Sequence, residues 1–427
     1  MHSTLLTHVR VLDGSGAPPY TGSVLVQGQR IRQIWRSSVP MSVPDAHTID
    51  AAGATLMPGM CEAHTHFSWN NAASLAAIQV MPLEEHVLWS AKVAHDYLLA
   101  GWTSCLGAAC AKPRLDVVIR NAINKGQIPG PRYLAASQEI TVPGALGDEM
   151  PPHLPYPEFS FGAVVNGPED MRRCVRQFLK YGVDTIKLNL SGDNFTPDSP
   201  AETHWMTDAE VATAMEEVRM RGKRAIAHAR SGPSVQQALR HGIDLIYHAS
   251  FCDERTLDML EAARDRVFVV PGIGILYAVL YEAEPWGITR AQAEALGYPI
   301  EWEAALQSLS AMHRRGVRVM PGGDYGFAFT PHGQNARDLE HFVRYLGMSP
   351  MEAIRSCTLY GGQIMQRPQE LGLIREGYLA DLLLVDGDPL VDLAILRDPA
   401  RLLGVMKDGQ WAKAPPARRL GAWEARA

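Results

Sequence analysis

The middle of the chain alternates short apolar segments with amphipathic ones, and this alternation limits the possible folds more than any other feature. Eight segments of about five to eight residues are apolar on both faces, as buried parallel strands are. They are LMPGMCEAHTHF, TSCLGA, RYLAAS, DTIKLNL, RAIAHA, DLIYHAS, RVFVVPGI and VRVMPGGD. Helical segments such as EEHVLWSAKVAHDYLLA, PEDMRRCVRQFLKY and DAEVATAMEEVRMRG separate most of them. We therefore predict an α/β fold, a (β/α)8 TIM barrel, with a doubly wound open sheet as the alternative.

Two of the predicted helices carry a capping-box signature at their start. Thr207 is followed at the third position by Glu210, and Ser349 is followed at the third position by Glu352. Such a pair satisfies two backbone amides that a helix start leaves unpaired. We expect helices to begin directly after Thr207 and Ser349.

The two ends of the chain differ from the middle and resemble each other. The first residues read as short strands, in THVRVLDG, SVLVQGQRIRQIW and AHTIDAAGATLMPG, and the tail has GYLADLLLVDGDP and GVMKDGQWAK. Alternating β-branched residues interrupted by Gly, Pro and Asp are typical of strands joined by turns. We predict that residues 1–59 and 366–427 form one small β-sandwich-like domain and that residues 60–365 form the barrel.

Composition excludes several classes of function. Of the 427 residues 46% are hydrophobic and 20% charged, and the formal net charge is -6, with scattered rather than clustered Lys and Arg. This distribution does not favour nucleic-acid binding. We also expect no signal peptide, and no apolar run reaches the roughly 18 residues of a membrane span. The six cysteines form no CxxC pair, so we expect a cytoplasmic protein without nucleic-acid or membrane partners.

Polar residues stand where the apolar segments end, beginning with His64 and His66 after the first. Residues two apart on a strand share a face, so both imidazoles can point at one ion. Two solvated surface histidines are the alternative reading of this pair.

Four later segments carry a polar residue near their end in the same way. The fourth contains Lys187 in TIKLNLSG, where burial disfavours the charged amine. Lys187 is therefore either a snorkelling side chain paired with a carboxylate or a neutral amine able to react with CO2. His228 ends AIAHA and His248 ends LIYHAS, on the side where barrels place their sites. Asp324 follows in PGGDYG, as a ligand or as a helix-capping turn residue.

These residues converge only if their segments form a barrel. Imidazole and carboxylate ligands suit Zn2+ or a similar divalent ion. The sequence therefore predicts a metal centre at the carboxyl ends of the strands.

The combination resembles the amidohydrolase superfamily, in its two-metal branch, over nearly the whole chain. The stretches that carry the resemblance are VRVLDGSG, MPGMCEAHTH, GPRYLAAS, IKLNLSG, AIAHA, HGIDLIYHASFCDE, PGGDYG, PHGQNARDLEHFVRYLGMSPMEAIRSCTLYGG and GLIREGYLADLLLVDGDPL. Within the superfamily the chain is similar to imidazolonepropionase-like hydrolases, the group that includes prolidase-like dipeptidases and ochratoxin-type amidases.

The resemblance implies a role for each of these residues. His64, His66 and Asp324 would hold one metal, His228 and His248 the other, and Lys187, carboxylated by CO2, would bridge the two ions. A bridging hydroxide would attack the carbonyl carbon, and Asp324 would take its proton and deliver it to the leaving nitrogen. Asp324, Lys187 and His248 are then the residues implied in catalysis. The implied reaction is hydrolysis of an amide-type C–N bond in an aryl amide, N-acyl amino acid or dipeptide-like substrate.

Two other functions remain open at this point. The first is deamination of a heterocyclic or aminoaryl ring by one metal, although such enzymes usually lack the lysine and carry HxxE where this chain has His228 and then Ala-Arg-Ser. The second is a non-catalytic barrel scaffold. We expect a small-molecule substrate, two divalent cations, most simply Zn2+, and a homo-oligomer.

Residues just beyond the strand ends are candidates for contact with the substrate. These candidates are Arg230, Tyr277, Tyr325 and His332. Three tryptophans, Trp69, Trp102 and Trp205, are candidates for an apolar pocket wall or for core packing.

Overall fold

The computed structural model describes residues 3–39, 41–151, 153–154, 160–196 and 198–416. Its strands are β1 (Ser3–Val11), β2 (Tyr20–Gln27), β3 (Arg30–Trp35), β4 (His47–Asp50), β5 (Thr55–Pro58), β6 (Met60–Thr65), β7 (Trp102–Gly107), β8 (Arg132–Leu134), β9 (Ala136–Thr141), β10 (Ala163–Val164), β11 (Thr185–Asn189), β12 (Arg224–Ser231), β13 (Leu245–Phe251), β14 (Phe268–Val270), β15 (Arg318–Val319), β16 (Leu382–Val385), β17 (Leu402–Lys407) and β18 (Gln410–Lys413). Its α-helices are α1 (Leu75–Gln79), α2 (Leu83–Leu99), α3 (Leu115–Asn124), α4 (Pro168–Tyr181), α5 (Asp208–Met220), α6 (Gly232–Arg240), α7 (Glu254–Ala262), α8 (Ile273–Tyr281), α9 (Arg290–Ala295), α10 (Tyr298–Arg314), α11 (Arg337–Leu346), α12 (Pro350–Cys357) and α13 (Leu359–Ile364). The α/β class predicted from the sequence is confirmed.

Both ends of the chain build one mixed sheet. Its strand order is β18-β17-β16-β5-β1-β2-β3, and β4 pairs with β1. The join between the two ends is antiparallel, with Leu383 opposite Met57. Side chains from both ends, including Leu56 and Leu384, fill one apolar core on this sheet. Residues 417–427 of the predicted terminal domain lie outside the described residues.

The eight apolar segments of the middle all form parallel strands. Three of them contribute the sheet β6-β7-β8, and the other five contribute β11 to β15 of the sheet β10-β9-β11-β12-β13-β14-β15, whose β9 begins in the third segment. Only Ala135 separates β8 from β9, so the third segment takes part in both sheets. The backbone N–H of Ala63 on β6 donates to the carbonyl of Pro321, just after β15, at 3.3 Å. The first and last segments are therefore also neighbours.

Helices alternate with these strands and cover their outer face. Helix α4 spans the residues predicted for it, and both predicted capping boxes are present, at Thr207 and at Ser349. Of the helices in the described ranges, none combines the length and apolar character needed to span a membrane.

Two apolar layers lie on opposite sides of the parallel strands, and they show which way each side chain points. The larger layer lies between strands and helices and contains Ile186, Leu188 and Ala227. The smaller one lies on the other side of the strands and contains Ile226 and Tyr247. A side chain's place in a strand's alternation thus decides whether it meets the helices or the interior.

Candidate metal centre and cavity

Lys187 and His228 reach the interior by ordinary strand alternation. Ile186 and Leu188 flank Lys187 on β11 and pack in the layer against the helices. Lys187 therefore points to the opposite, inner side. On β12, Ile226 packs in the inner layer, and His228, two residues further on, shares its face.

The orientation of His64 and His66 depends on an irregularity in the pairing of β6 with β7. Ala63 packs in the inner layer, so an unbroken strand would turn His64 away from the interior. The pairing of β6 with β7 shifts between Glu62 and Thr65, and both histidines line the inner cavity. An irregularity of this kind next to a site re-aims a side chain that regular alternation would misplace.

His248 and Asp324 lie where the backbone is left-handed. Their φ angles are +74° and +64°, a conformation that costs a non-glycine residue roughly 1–2 kcal/mol. Tyr247 already faces the inner layer, and the left-handed residue that follows lets His248 face the cavity as well. Gly272 lies so close that a Cβ at this position would be 2.7 Å from His248 Nδ1. The surrounding structure thus holds both residues in a strained backbone conformation, as is common at functional sites.

The six predicted metal ligands line one cavity. Asp324 Oδ1 lies 3.1 Å from His66 Nε2 and 3.4 Å from His64 Nε2. The ring centroids of His228 and His248 are 4.4 Å apart, and those of His64 and His248 are 5.4 Å apart. The donor atoms of His64, His66 and Asp324 lie within 4.8 Å of one another, which is close enough for one cation.

The polar atoms of this cluster fit a divalent cation. His64 Nδ1, His66 Nε2, His248 Nδ1 and Asp324 Oδ1 are buried without a hydrogen-bond partner among the described residues. Unpaired buried polar atoms are unfavourable, and a bound ion would satisfy several of them at once. Burial also lowers the pKa of His64 and His248 well below the usual value, so their imidazoles are neutral and have a lone pair to donate.

Asp324 and Lys187 are the charged groups at the centre of the cluster. Burial alone would raise the pKa of Asp324, but His64, His66 and Lys187 hold it well below its usual range. Burial lowers the pKa of the Lys187 amine, and the carboxylates of Glu139 and Asp324 partly offset this effect. Lys187 Nζ lies 4.7 Å from the centre of the Tyr247 ring.

A buried hydrogen-bond network supports the backbone of β6, which carries His64. The Glu62 carboxylate accepts the His64 backbone N–H at 3.1 Å and the Asn335 side-chain amide at 3.2 Å. Asn335 also donates to the Tyr97 hydroxyl at 2.9 Å. Burial, with Asp338 nearby, raises the pKa of Glu62 to about 8. The network fixes the backbone that carries His64.

The four candidate substrate contacts are not among the described residues that line the cavity. The Arg230 guanidinium is buried between Asp193 and Glu301. The other three candidates are also engaged by protein groups. The Tyr325 hydroxyl donates to Asp338 at 2.9 Å, and His332 forms hydrogen bonds with the Tyr97 hydroxyl and the Trp69 carbonyl. Tyr277 packs against Tyr281, Trp302 and His341. The structure gives all four residues supporting contacts rather than positions in the cavity wall.

The cavity wall combines Trp69, which the sequence offered as a candidate for a pocket wall, with residues that the sequence did not single out. The cavity encloses about 640 Å³, including its open mouth, and Trp69, Phe195, Phe327 and Glu139 line it. Trp69 stacks on His66 with ring centroids 3.5 Å apart. By contrast, Trp102 is buried on β7 and Trp205 donates to the Thr203 hydroxyl. Glu139 lies within β9, two residues beyond the predicted third segment RYLAAS, so the strand-end rule that found the histidines did not reach it. The phenylalanines lie on loops without periodicity.

Known proteins resemble this chain over most of its length. The family model described as "Amidohydrolase family" matches residues 55–412. Ochratoxinase of Aspergillus niger is 26% identical over 408 residues, covering 86% of this chain and 77% of that protein. A solved prolidase complexed with N-methylphosphonate-L-proline has a TM-score of 0.86 at 25% identity and covers 96% of this chain and 100% of that chain. A Xaa-Pro dipeptidase with bound methionine has a TM-score of 0.81 at 25% identity, over 96% of this chain and 99% of that one.

Proposed function

Because this chain belongs to the amidohydrolase family and is a metal-dependent hydrolase of amide-type C–N bonds, we propose that it works with two divalent cations in the cavity. His64, His66 and Asp324 would hold one ion, and His228 and His248 the other. The observation that carries this proposal is the buried cluster of His64, His66 and Asp324, whose donor atoms lie within 4.8 Å of one another. In it, His66 Nε2 and Asp324 Oδ1 have no hydrogen-bond partner among the described residues. Neutral imidazoles and a carboxylate favour Zn2+ among the candidates.

Lys187 would supply the bridging ligand as a carbamate. Its amine is buried in the same cavity, and burial favours the neutral form that reacts with CO2. In that reaction the amine nitrogen bonds to the carbon of CO2 and one proton is released. The resulting carboxylate would give the cavity a second anionic ligand beside Asp324.

We propose that the parallel strands close into a (β/α)8 barrel. The third segment belongs to both sheets, and the Ala63–Pro321 hydrogen bond joins the first segment to the last. In such a barrel the strand ends that carry the six ligands meet at one mouth, where barrel enzymes have their sites.

The chain's own residues supply binding and proton transfer. Bound divalent cations of this kind lower the pKa of water from 15.7 to about 7 and polarise a carbonyl. Asp324 accepts a proton from the attacking water and passes it to the leaving nitrogen, since its carboxylate stays ionised. Trp69, Phe195 and Phe327 exclude bulk water from the reacting groups. The substrate classes are aryl amides, N-acyl amino acids and dipeptide-like molecules, and neither the described residues nor the relatives favour deamination or a scaffold role.

We further propose a cytoplasmic location and a homo-oligomeric state. The six cysteines are all free thiols, which suits a reducing compartment. Exposed apolar side chains at Val80, Leu83 and Leu88 offer a surface for contact between copies. Fractionation and sedimentation measurements test these two statements directly.

Metal analysis of Lys187→Ala tests the two-metal proposal. We expect about two ions per wild-type chain, fewer in the variant, and loss of amide hydrolysis because the bridging carboxylate is gone. Lys180→Ala, at an exposed position of α4, is the matched control and should behave as wild type. Partial recovery of Lys187→Ala with short carboxylic acids would support the carbamate. One ion per wild-type chain together with a fully active Lys187→Ala would overturn the proposal.

A further inference from the structure

Beyond the six proposed ligands, the cavity is acidic and aromatic. The carboxylates of Glu139, Glu149 and Asp193 line it. Among the described lining residues Lys187 is the only lysine or arginine, and the proposed function assigns it to the metals. A substrate carboxylate away from the metals would therefore meet negative charge without a basic partner.

Arg230, the candidate to pair with a substrate carboxylate, is already paired with two protein carboxylates. Arg230 is 2% exposed, and its guanidinium lies 2.7 Å from the Asp193 carboxylate and also contacts Glu301. Glu301 in turn accepts hydrogen bonds from Ser250 and Asn194, each at 2.8 Å. The guanidinium is therefore engaged by protein carboxylates and is not available to a substrate carboxylate.

Glu149 is the carboxylate whose charge remains uncompensated. Its side chain is partly exposed to the cavity. Burial and the nearby Glu139 raise its pKa to about 7, against a backbone hydrogen bond from Gly147 that lowers it. A positively charged ligand group would favour its ionised form.

The aromatic side of the cavity suits the same kind of ligand. The ring centroids of Trp69 and Phe327 are 4.8 Å apart, and those of Phe195 and Phe327 are 6.0 Å apart. Aromatic faces attract ammonium groups as well as apolar chains. In addition, Trp69 Nε1 is buried without a described hydrogen-bond partner, which points to a ligand that brings an acceptor such as a carbonyl oxygen.

We propose that the substrate is an amide whose non-reacting end carries an ammonium group beside Glu149 and the aromatic wall, and carries no free carboxylate there. This inference rests on the proposed function and narrows its substrate class. In the reaction, water adds to the amide carbonyl carbon and the C–N bond breaks. The leaving nitrogen takes one proton of the water to become an amine, and the carboxylic acid that forms releases the other proton to solvent as it ionises to a carboxylate.

Three matched anilides test the preference with the metal-loaded enzyme. Their acyl chains have equal length and end in an ammonium, a methyl or a carboxylate group. We expect kcat/KM to fall by about tenfold from ammonium to methyl, and further for the carboxylate, as the charge contact is lost and then reversed. A preference for the carboxylate anilide, or equal rates for all three, would overturn the inference.

Glu149→Gln assigns the preference to one side chain. The substitution keeps the size of the side chain and removes its charge. We therefore expect the ratio of kcat/KM for the ammonium anilide to kcat/KM for the methyl anilide to fall by about tenfold. Glu169→Gln is the control, because the Glu169 side chain is 89% exposed on α4 and its loss should leave the ratio unchanged. An unchanged ratio in Glu149→Gln would refute the role of Glu149.

Calorimetric titration with hexylamine and hexanol separates this inference from the proposed function. Tighter binding of hexylamine to wild type, reduced in Glu149→Gln, supports the cation subsite even if no anilide turns over. Equal binding of the two compounds overturns the subsite while leaving amide hydrolysis intact. Absence of hydrolysis across anilides, N-acyl amino acids and dipeptides would count against the proposed function alone.

Discussion

Replacing Arg230 by methionine should destabilise the protein in a way that depends on pH. The wild-type guanidinium lies between Asp193 and Glu301, and the side chains of all three residues are less than one-tenth exposed. Removing one member of a buried ion pair leaves an uncompensated charge and costs about 3–5 kcal/mol. Glu301 keeps its bonds to Ser250 and Asn194, so we expect the lower end, about 3 kcal/mol, at pH 7.5.

The pH dependence follows from the carboxylates left behind. Burial already raises the pKa of Glu301 despite Arg230, and loss of the guanidinium raises it further. In Arg230→Met the folded-state pKa therefore exceeds the unfolded-state value of about 4.3. Because burial also raises the pKa of Glu301 in wild type, the difference between the two proteins is absent below the wild-type folded pKa. It then grows by about 1.4 kcal/mol per pH unit up to the higher folded pKa of the variant. The variant should thus approach wild-type stability near pH 4.5.

Urea unfolding of metal-free wild type and Arg230→Met, followed by circular dichroism at pH 4.5, 6 and 7.5, measures this difference. Removing metal from both proteins keeps metal loss at low pH out of the comparison. Arg230→Met combined with Glu301→Gln should recover part of the stability at pH 7.5, since one buried charge is removed with its partner. A deficit below about 1 kcal/mol, or one that does not change with pH, would refute this explanation. If kcat/KM fell without a stability change, Arg230 would be a substrate contact instead.

Two further substitutions test the backbone beside the metal ligands and an ion-pair cluster far from them. Gly272→Ala should lower metal content and activity, because its Cβ would lie 2.7 Å from His248 Nδ1. The control is Gly287→Ala, at φ +88° with open space around it, which should lose only the roughly 1 kcal/mol of folding stability that a left-handed alanine costs. Equal metal content in both variants would contradict the clash. Glu217→Gln should cost about 2 kcal/mol at pH 7 in urea unfolding, because arginine contacts lower the pKa of Glu217 to about 2 and so stabilise the fold above the unfolded pKa. That difference should shrink as the pH falls from about 5 to 2, and a constant difference would contradict it. The contacts come from Arg176, Arg172 and Arg221.

The sequence predicted the strands and six residues that line the cavity, because both obey local rules. A parallel strand buried on both faces must be apolar throughout, and a polar residue at its end is then conspicuous. This reasoning identified the strand of Lys187 and that of His228, whose side chains follow simple alternation. Glu139 was missed because it lies within β9, beyond the predicted segment RYLAAS.

The remaining parts of the site depend on contacts that no short window of sequence contains. The register shift before His64 and the left-handed backbone at His248 come from tertiary packing, which local propensity does not encode. Arg230 is turned from the cavity by Glu301, 71 positions later in the chain. Phe195 and Phe327 reach the wall from loops, whose course depends on the elements that they join.

The sheet that unites the two chain ends has a consequence for synthesis. The Thr55 hydroxyl donates to the Gly387 carbonyl, 332 positions away, and β5 gains its second neighbour only when β16 arrives. Until β16 has left the ribosome, β5 presents an unpaired apolar edge, which is a template for wrong strand pairing. Nascent chains stopped before β16 should therefore bind chaperones or aggregate, even with every parallel strand already made.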